Sequence, residues 1–156
     1  LPLIHSPVCM RCGKPVSSHT QEYCYDCRAF PKSFQRGLSL FLYNKKTRPI
    51  MSAFKYQNRR GLADFFCQEL CRYRLSQLRD LVADAVIPVR LNNLKKAFCF
   101  NSHYDKLLSQ STPFSVLLVD DIYTSGATME ACTRILLEAG ISEVYILSIC
   151  IGIARD

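Results

Sequence analysis

Val116–Thr128 reads V-L-L-V-D-D-I-Y-T-S-G-A-T, and this stretch decides the fold. Four apolar residues, Val116-Leu117-Leu118-Val119, run without a polar break. That is the pattern of a strand buried on both faces of a parallel sheet. The strand is expected to deliver two adjacent carboxylates, Asp120 and Asp121, at its C-terminal end. A turn of small residues follows, Thr124-Ser125-Gly126-Ala127-Thr128, and then a helical stretch, Met129–Ala139. The arrangement suits a phosphate ester of a sugar. Turn amides and the positive end of the helix cradle a phosphate, Gly126 permits close approach, and the Thr and Ser hydroxyls add donors. The carboxylates would repel that phosphate if they faced it. They fit groups that need acceptors, vicinal ribose hydroxyls or a hydrated Mg²⁺. Acids at a strand end also occur in phosphoryl-receiver domains, so the pair alone says little; joined to T-S-G-A-T it is specific. The plainer reading is a buried strand followed by a capped helix.

Working outward, Gly140 sits where the helix should stop, and Val144–Ile151 is a further apolar strand. Strand, helix and strand make a βαβ unit with a right-handed crossover and a parallel sheet. Ligands of such sheets bind beyond the C-terminal strand ends, where the two aspartates lie. Upstream, Ala85–Val89 reads as a strand. Leu91–Ala97 is polar and basic, Phe98-Cys99-Phe100 is a short strand-like run, and Tyr104–Ser111 reads as helix or loop. Leu62–Arg79 is amphipathic, with Leu62, Phe66, Leu70 and Tyr73 on one face and Asp64, Gln68 and Arg72 on another. Cys67 and Cys71 lie four apart on this helix; without a neighbouring acid or His partner, core packing is expected. Asn58–Gly61 is a basic turn. Thr47 is expected to N-cap a short helix running to about Tyr56, with Pro49 in its first turn. Leu38–Tyr43 reads as a strand and Phe30–Phe34 as a connector.

Near the N-terminus, Cys9, Cys12, Cys24 and Cys27 form C-x2-C-x11-C-x2-C. Each pair brackets a tight knuckle, and four thiolates close a tetrahedral zinc site with no open position, which makes it structural. His5 and His19 are nearby but unnecessary as ligands. A module of this kind holds a domain edge or grips nucleic acid, and Arg11, Lys14 and Arg28 are placed for the second role. The chain holds nine cysteines, an odd number that argues against a disulfide framework.

Length and composition agree with one soluble α/β domain and a small appendage: 156 residues, 49% hydrophobic. No apolar run reaches the ~20 residues of a membrane span, and the N-terminal residues lack a signal-peptide core, so a cytoplasmic setting is expected. The formal net charge is +7, unevenly spread. Residues 1–60 carry 11 Lys/Arg against 2 Asp/Glu, whereas 61–156 carry 9 against 11. A basic half interleaved with Phe and Tyr suits a polyanion such as single-stranded DNA, with Lys45, Lys46, Arg59 and Arg60 as candidate contacts. A solvated basic surface is the plain alternative.

Val116–Thr128 resembles the phosphoribosyl-diphosphate (PRPP) motif of type I phosphoribosyltransferases. Three further features narrow the match: the four-Cys module, the segment Tyr43…Phe54-Lys55-Tyr56…Arg59-Arg60-Gly61, and Asp84-Ala85-Val86-Ile87-Pro88-Val89. Together they resemble the ComF (ComFC) family over nearly the whole chain. The resemblance implies an α/β, Rossmann-like parallel-sheet phosphoribosyltransferase domain at 34–156 behind a zinc module at 1–33. It implies Asp120 and Asp121 at the ribose hydroxyls and Mg²⁺, and Thr124, Ser125, Gly126, Ala127 and Thr128 at the 5′-phosphate. It also implies a setting in natural transformation, with PRPP and single-stranded DNA as ligands and a helicase as partner; a phosphoribosyltransferase of nucleotide metabolism without a DNA role is the alternative. In the family the strand matching Ala85–Val89 leads into a basic segment and a mobile loop. Here Arg90-Leu91-Asn92-Asn93 follows at once, so a segment of some tens of residues is expected to be missing between 89 and 90. No residue is identified as a general base.

Overall fold

A computed structural model describes residues 1–57, 59–89 and 113–153. In chain order they form α1 (Tyr25–Ala29), β1 (Arg36–Leu42), α2 (Arg48–Tyr56), α3 (Arg60–Asp80), β2 (Ala85–Pro88), β3 (Ser115–Tyr123), α4 (Ala127–Glu138) and β4 (Glu143–Ile151). The four strands make one sheet in the order β1-β4-β3-β2, and every pairing is parallel. The α/β class and parallel sheet expected from the sequence are therefore present, with a small four-Cys module at the N-terminal side. Leu91–Ala97, Phe98–Phe100, Tyr104–Ser111, Asn58 and Arg90 lie outside the described residues.

Unbroken apolar runs at the sheet centre follow from packing on both sides. In a strand, successive side chains point to opposite faces. Val116, Leu118, Val144 and Ile146 share one core with Met129, Cys132 and Leu136 of α4 and with all four module cysteines. Leu117 and Leu147 pack instead with Leu38, Leu81 and the α3 residues Leu70 and Leu78. Met51 of α2 and Phe66 of α3 form a third cluster with Leu40, Phe41 and Cys150. The first knuckle of the module rests on the start of β1, where Gly37 N donates to Arg11 O at 2.6 Å. A side chain on Gly13 would meet Gly37 O at 2.8 Å, so this close approach needs glycine. At the outer edge, Ile4 N donates to Leu40 O at 3.0 Å, which covers part of β1.

Four local expectations are corrected. Tyr73 is 41% exposed rather than on the buried face of α3. Arg74 takes that position, its guanidinium donating to the carbonyls of Ser39 (3.0 Å) and Ile4 and so tying the N-terminal segment to β1 and α3. Cys67 and Cys71 are exposed, not core residues, because the buried stripe runs through Phe66 and Leu70 beside them. Thr47 is the N-cap residue of α2 as expected, but it lacks the side-chain bond of a cap; its hydroxyl donates instead to Leu42 O at 2.9 Å. The Asn44 side chain accepts instead from the amides of Lys46 and Thr47, at 2.8 and 3.2 Å. Finally, α3 begins at Arg60, inside the expected basic turn.

Candidate functional site

The candidate site forms where β3 runs into α4. β3 continues to Tyr123, so Asp120 and Asp121 lie within the strand rather than just past it. Gly126 is the N-cap of α4 at φ 76°, a left-handed conformation that glycine adopts without penalty. A side chain there would also collide with the Tyr123 hydroxyl. The first intrahelical bond of α4 runs from Glu130 N to Gly126 O at 2.8 Å. Amides of the first turn, from Ala127 to Met129, therefore have no acceptor within the helix; Ala127 N reaches the Ser125 hydroxyl at 3.4 Å. Ala127 and Thr128 belong to the helix, and only Thr124 to Gly126 make the turn. The turn is held from below by Gly152 N, which donates to Tyr123 O at 2.8 Å.

The two carboxylates diverge. Asp120 faces a recess shared with Thr124, Gly126, Thr128 and Met129, and its Oδ1 accepts from Asp121 N at 2.8 Å. Burial, helped by the neighbouring Asp121 charge, raises its pKa from 3.8 to about 6. Asp121 instead pairs with Lys55 of α2, Nζ to Oδ1 at 3.0 Å. Burial alone would lower the Lys55 pKa, but the hydrogen bond and charge of Asp121 outweigh it and raise the pKa. Lys55 is the site residue that the sequence reading left without a role. Its signal was present: Phe54 packs in the core while the next residue, one step around the helix, carries a charge toward the strand end. β2 ends beside the same place, Val89 N donating to Val119 O at 2.8 Å.

The four module cysteines come together as expected. Their sulfurs all lie within 4.8 Å of one another, and all four residues are buried. Cys12 Sγ and Cys24 Sγ are 3.6 Å apart, close to the ~3.8 Å separating thiolates bound at ~2.3 Å to a tetrahedral ion. Crowding opposes full ionisation: hydrogen bonds that the Cys12 thiol donates to Cys24 and Cys27 hold it protonated, while the hydrogen bond that Cys9 accepts from Cys12 favours the Cys9 thiolate. A dication at the centre would let all four ionise, so the donor set fits a closed, structural metal site. His5 and His19 are not in the cluster. The module touches the candidate phosphate site through Tyr123, whose buried ring meets Phe34 edge-on at 6.4 Å. Lys14 Nζ lies 5.8 Å from the same ring and pairs with Asp26. Ser33 donates its amide and hydroxyl to Glu130 of α4, at 2.8 and 2.6 Å, which fixes the connector.

Of the candidate nucleic-acid contacts, Lys45, Lys46 and Arg59 are exposed, and the side chain of Arg60 lies outside the described residues. Lys45 and Lys46 follow β1 two and three residues after Tyr43, whose amide donates to Ile151 O at 2.8 Å. They sit at the same C-terminal edge of the sheet as the β3–α4 turn, although the two are some 80 residues apart in sequence. Among the described residues, no helix is long and apolar enough to cross a membrane.

No family model and no solved structure gives a significant match to the chain. Two curated proteins do. One is the competence protein ComFC of Bacillus subtilis (strain 168), 25% identical, with 85% of this chain and 72% of that protein covered. The other is the competence protein ComFC of Streptococcus pneumoniae (strain ATCC BAA-255 / R6), 24% identical, with 88% and 79% covered. The alignments run over 178 and 175 positions, more than the 156 residues of this chain, so each relative carries residues that this chain lacks within the matched span. With a clustered four-Cys module ahead of an all-parallel sheet, and matches covering most of both relatives, the chain is similar to the ComFC competence proteins over most of its length.

Proposed function

We propose that the β3–α4 junction binds PRPP with Mg²⁺ and that the protein handles single-stranded DNA in competence-linked DNA uptake. The observation carrying the first half is the junction itself: a left-handed Gly126, a first helical turn whose amides have no acceptor within the helix, and a half-buried Asp120 in the adjoining recess. In this reading Thr124, Ser125, Gly126, Ala127 and Thr128 hold the 5′-phosphate, and Asp120 and Asp121 hold the ribose hydroxyls and the hydrated cation. Mg²⁺ would neutralise the diphosphate and steady it as a leaving group. Lys55 orients Asp121 through their ion pair until that ligand arrives. The four cysteines we assign to Zn²⁺, and the residues that the relatives have in excess we place after Val89, beside the diphosphate end. Calorimetry tests the PRPP assignment. Binding should require Mg²⁺ and should weaken at least tenfold in Asp121→Asn, while Thr124→Ala and Thr128→Ala should each lose about 0.5–3 kcal/mol. Equal binding in wild type and Asp121→Asn would remove the carboxylate from the site.

The DNA half rests on the ComFC names of the two relatives and on the basic residues at the same edge of the sheet. Single-stranded DNA should bind with little sequence preference. Affinity should fall linearly on a log–log salt plot, by about −0.7 per phosphate neutralised. Charge reversal of Lys45, Lys46 and Arg59 should flatten that slope while metal content stays constant. A phosphoribosyltransferase without a DNA role is the second reading, kept because the junction alone would serve it. Absence of salt-dependent DNA binding at low ionic strength, with PRPP still bound, would favour it.

A further inference from the structure

A cleft of about 650 Å³ opens between the four-Cys module and the β3–α4 turn. From the turn it is lined by Thr124 and Ser125, and from the module by Tyr25, Phe30 and Lys32. Two of these are large aromatic side chains left open to solvent: Tyr25 is 56% and Phe30 67% exposed. The charges are also informative. Lys14 and Asp26 reach the cleft but neutralise each other. Lys32 makes no ion pair among the described residues, so the cleft carries a net positive charge beside exposed aromatic surface. Its floor adjoins the turn on the side of the module, whereas Asp121 and Lys55 mark the side of α2. A sugar phosphate seated at the turn with its ribose toward the aspartates would therefore have open, cationic, aromatic space on the far side of its phosphate. A terminal phosphate needs no such space; a phosphodiester does.

We propose that the turn and this cleft together hold one phosphodiester step of single-stranded nucleic acid, the 5′-side base stacking on Tyr25 and Phe30 with Lys32 near the backbone. The inference rests on the phosphate-seat reading of Thr124–Thr128 and adds to it a path for the strand. Aromatic stacking of this kind tolerates any base. It also places the four-Cys module in contact with the ligand, since Tyr25 follows Cys24 directly. The metal would then hold the stacking face in place through α1.

The test uses the full chain and three probes: Mg-PRPP, thymidine 5′-monophosphate, and a dinucleotide with 2-aminopurine on the 5′ side of a thymidine. The dinucleotide should bind roughly tenfold more tightly than the monophosphate, the scale of one stacked base, and its fluorescence should be quenched. Tyr25→Ala and Phe30→Ala should each remove most of that preference while leaving Mg-PRPP affinity and metal content unchanged. Tyr25→Phe should keep it, because stacking needs the ring and not the hydroxyl. Equal affinity for dinucleotide and monophosphate, with PRPP still bound, would overturn the cleft proposal alone. Loss of all three ligands would overturn the phosphate seat and the cleft with it. Concentration-dependent dimerisation abolished by Phe30→Ala, with dinucleotide binding intact, would show that the aromatic face serves a second copy of the chain and would also overturn it.

Discussion

Cys24→Ser is expected to unfold the N-terminal module and to lower the melting temperature of the entire domain. The four sulfurs lie within 4.8 Å of one another and are buried, and they share a core with Val116, Leu118, Met129, Leu136 and Ile146 of the sheet and α4. Binding free energy at a structural zinc site is folding free energy, about 10–16 kcal/mol in isolated zinc modules. A whole domain is typically stable by only about 5–15 kcal/mol. Losing one ligand thus outweighs most of what the remaining contacts supply. The damage should spread through Tyr123, which packs on Phe34 and carries the turn that leads to Gly126. Circular dichroism on heating, with elemental analysis of the purified protein, makes the check. Wild type should carry one tightly held zinc per chain, and chelation should reproduce the melting behaviour of Cys24→Ser. Wild-type protein without metal, melting as it does with metal, would remove the cluster from the stability of the fold. His19→Ala should leave both measurements unchanged, because that side chain is not among the clustered ligands.

The sequence was most readable where one physical demand acts alone. An unbroken apolar run such as Val116–Val119 has few outlets other than a central parallel strand, and two C-x2-C pairs at short spacing can converge on one ion. Both are present in the structure. The less readable features depend on contacts between distant segments. The helical stripe on α3 passes through Arg74 rather than Tyr73 because carbonyls of Ser39 and Ile4, far away in sequence, offer the guanidinium three-dimensional partners. Cys67 and Cys71, four apart and without a neighbouring acid or His, invite a core reading, yet their helix positions fall beside the buried stripe. Adjacent Asp120 and Asp121 invite a reading as one acidic pair. Strand geometry sends them apart, one toward the turn and one toward Lys55, and the lysine comes from a helix more than 60 residues upstream.

That divergence leads to the second large effect, in Asp120→Asn. The Asp120 carboxyl titrates at about 6 rather than 3.8, chiefly because burial disfavours its charge. Between those values the folded protein keeps a proton that the unfolded chain has released, so stability falls as pH rises from about 4 to about 6 and stays reduced above. The full shift corresponds to about 3 kcal/mol, and partial solvent access brings the expected contribution to about 1–2 kcal/mol. Asparagine preserves the shape and can still accept from Asp121 N while removing the charge. Asp120→Asn should therefore melt a few degrees higher than wild type at pH 7, and the gain should vanish near pH 4, where the wild-type carboxyl is protonated when folded. The same variant should lose Mg-PRPP binding, since an amide cannot hold a hydrated cation as a carboxylate does. A residue that weakens the fold at neutral pH and strengthens ligand binding is what a working site produces. A stability gain of equal size at pH 4 and pH 7 would mean that packing, not the buried charge, is responsible. Unchanged PRPP affinity would separate Asp120 from the ligand altogether.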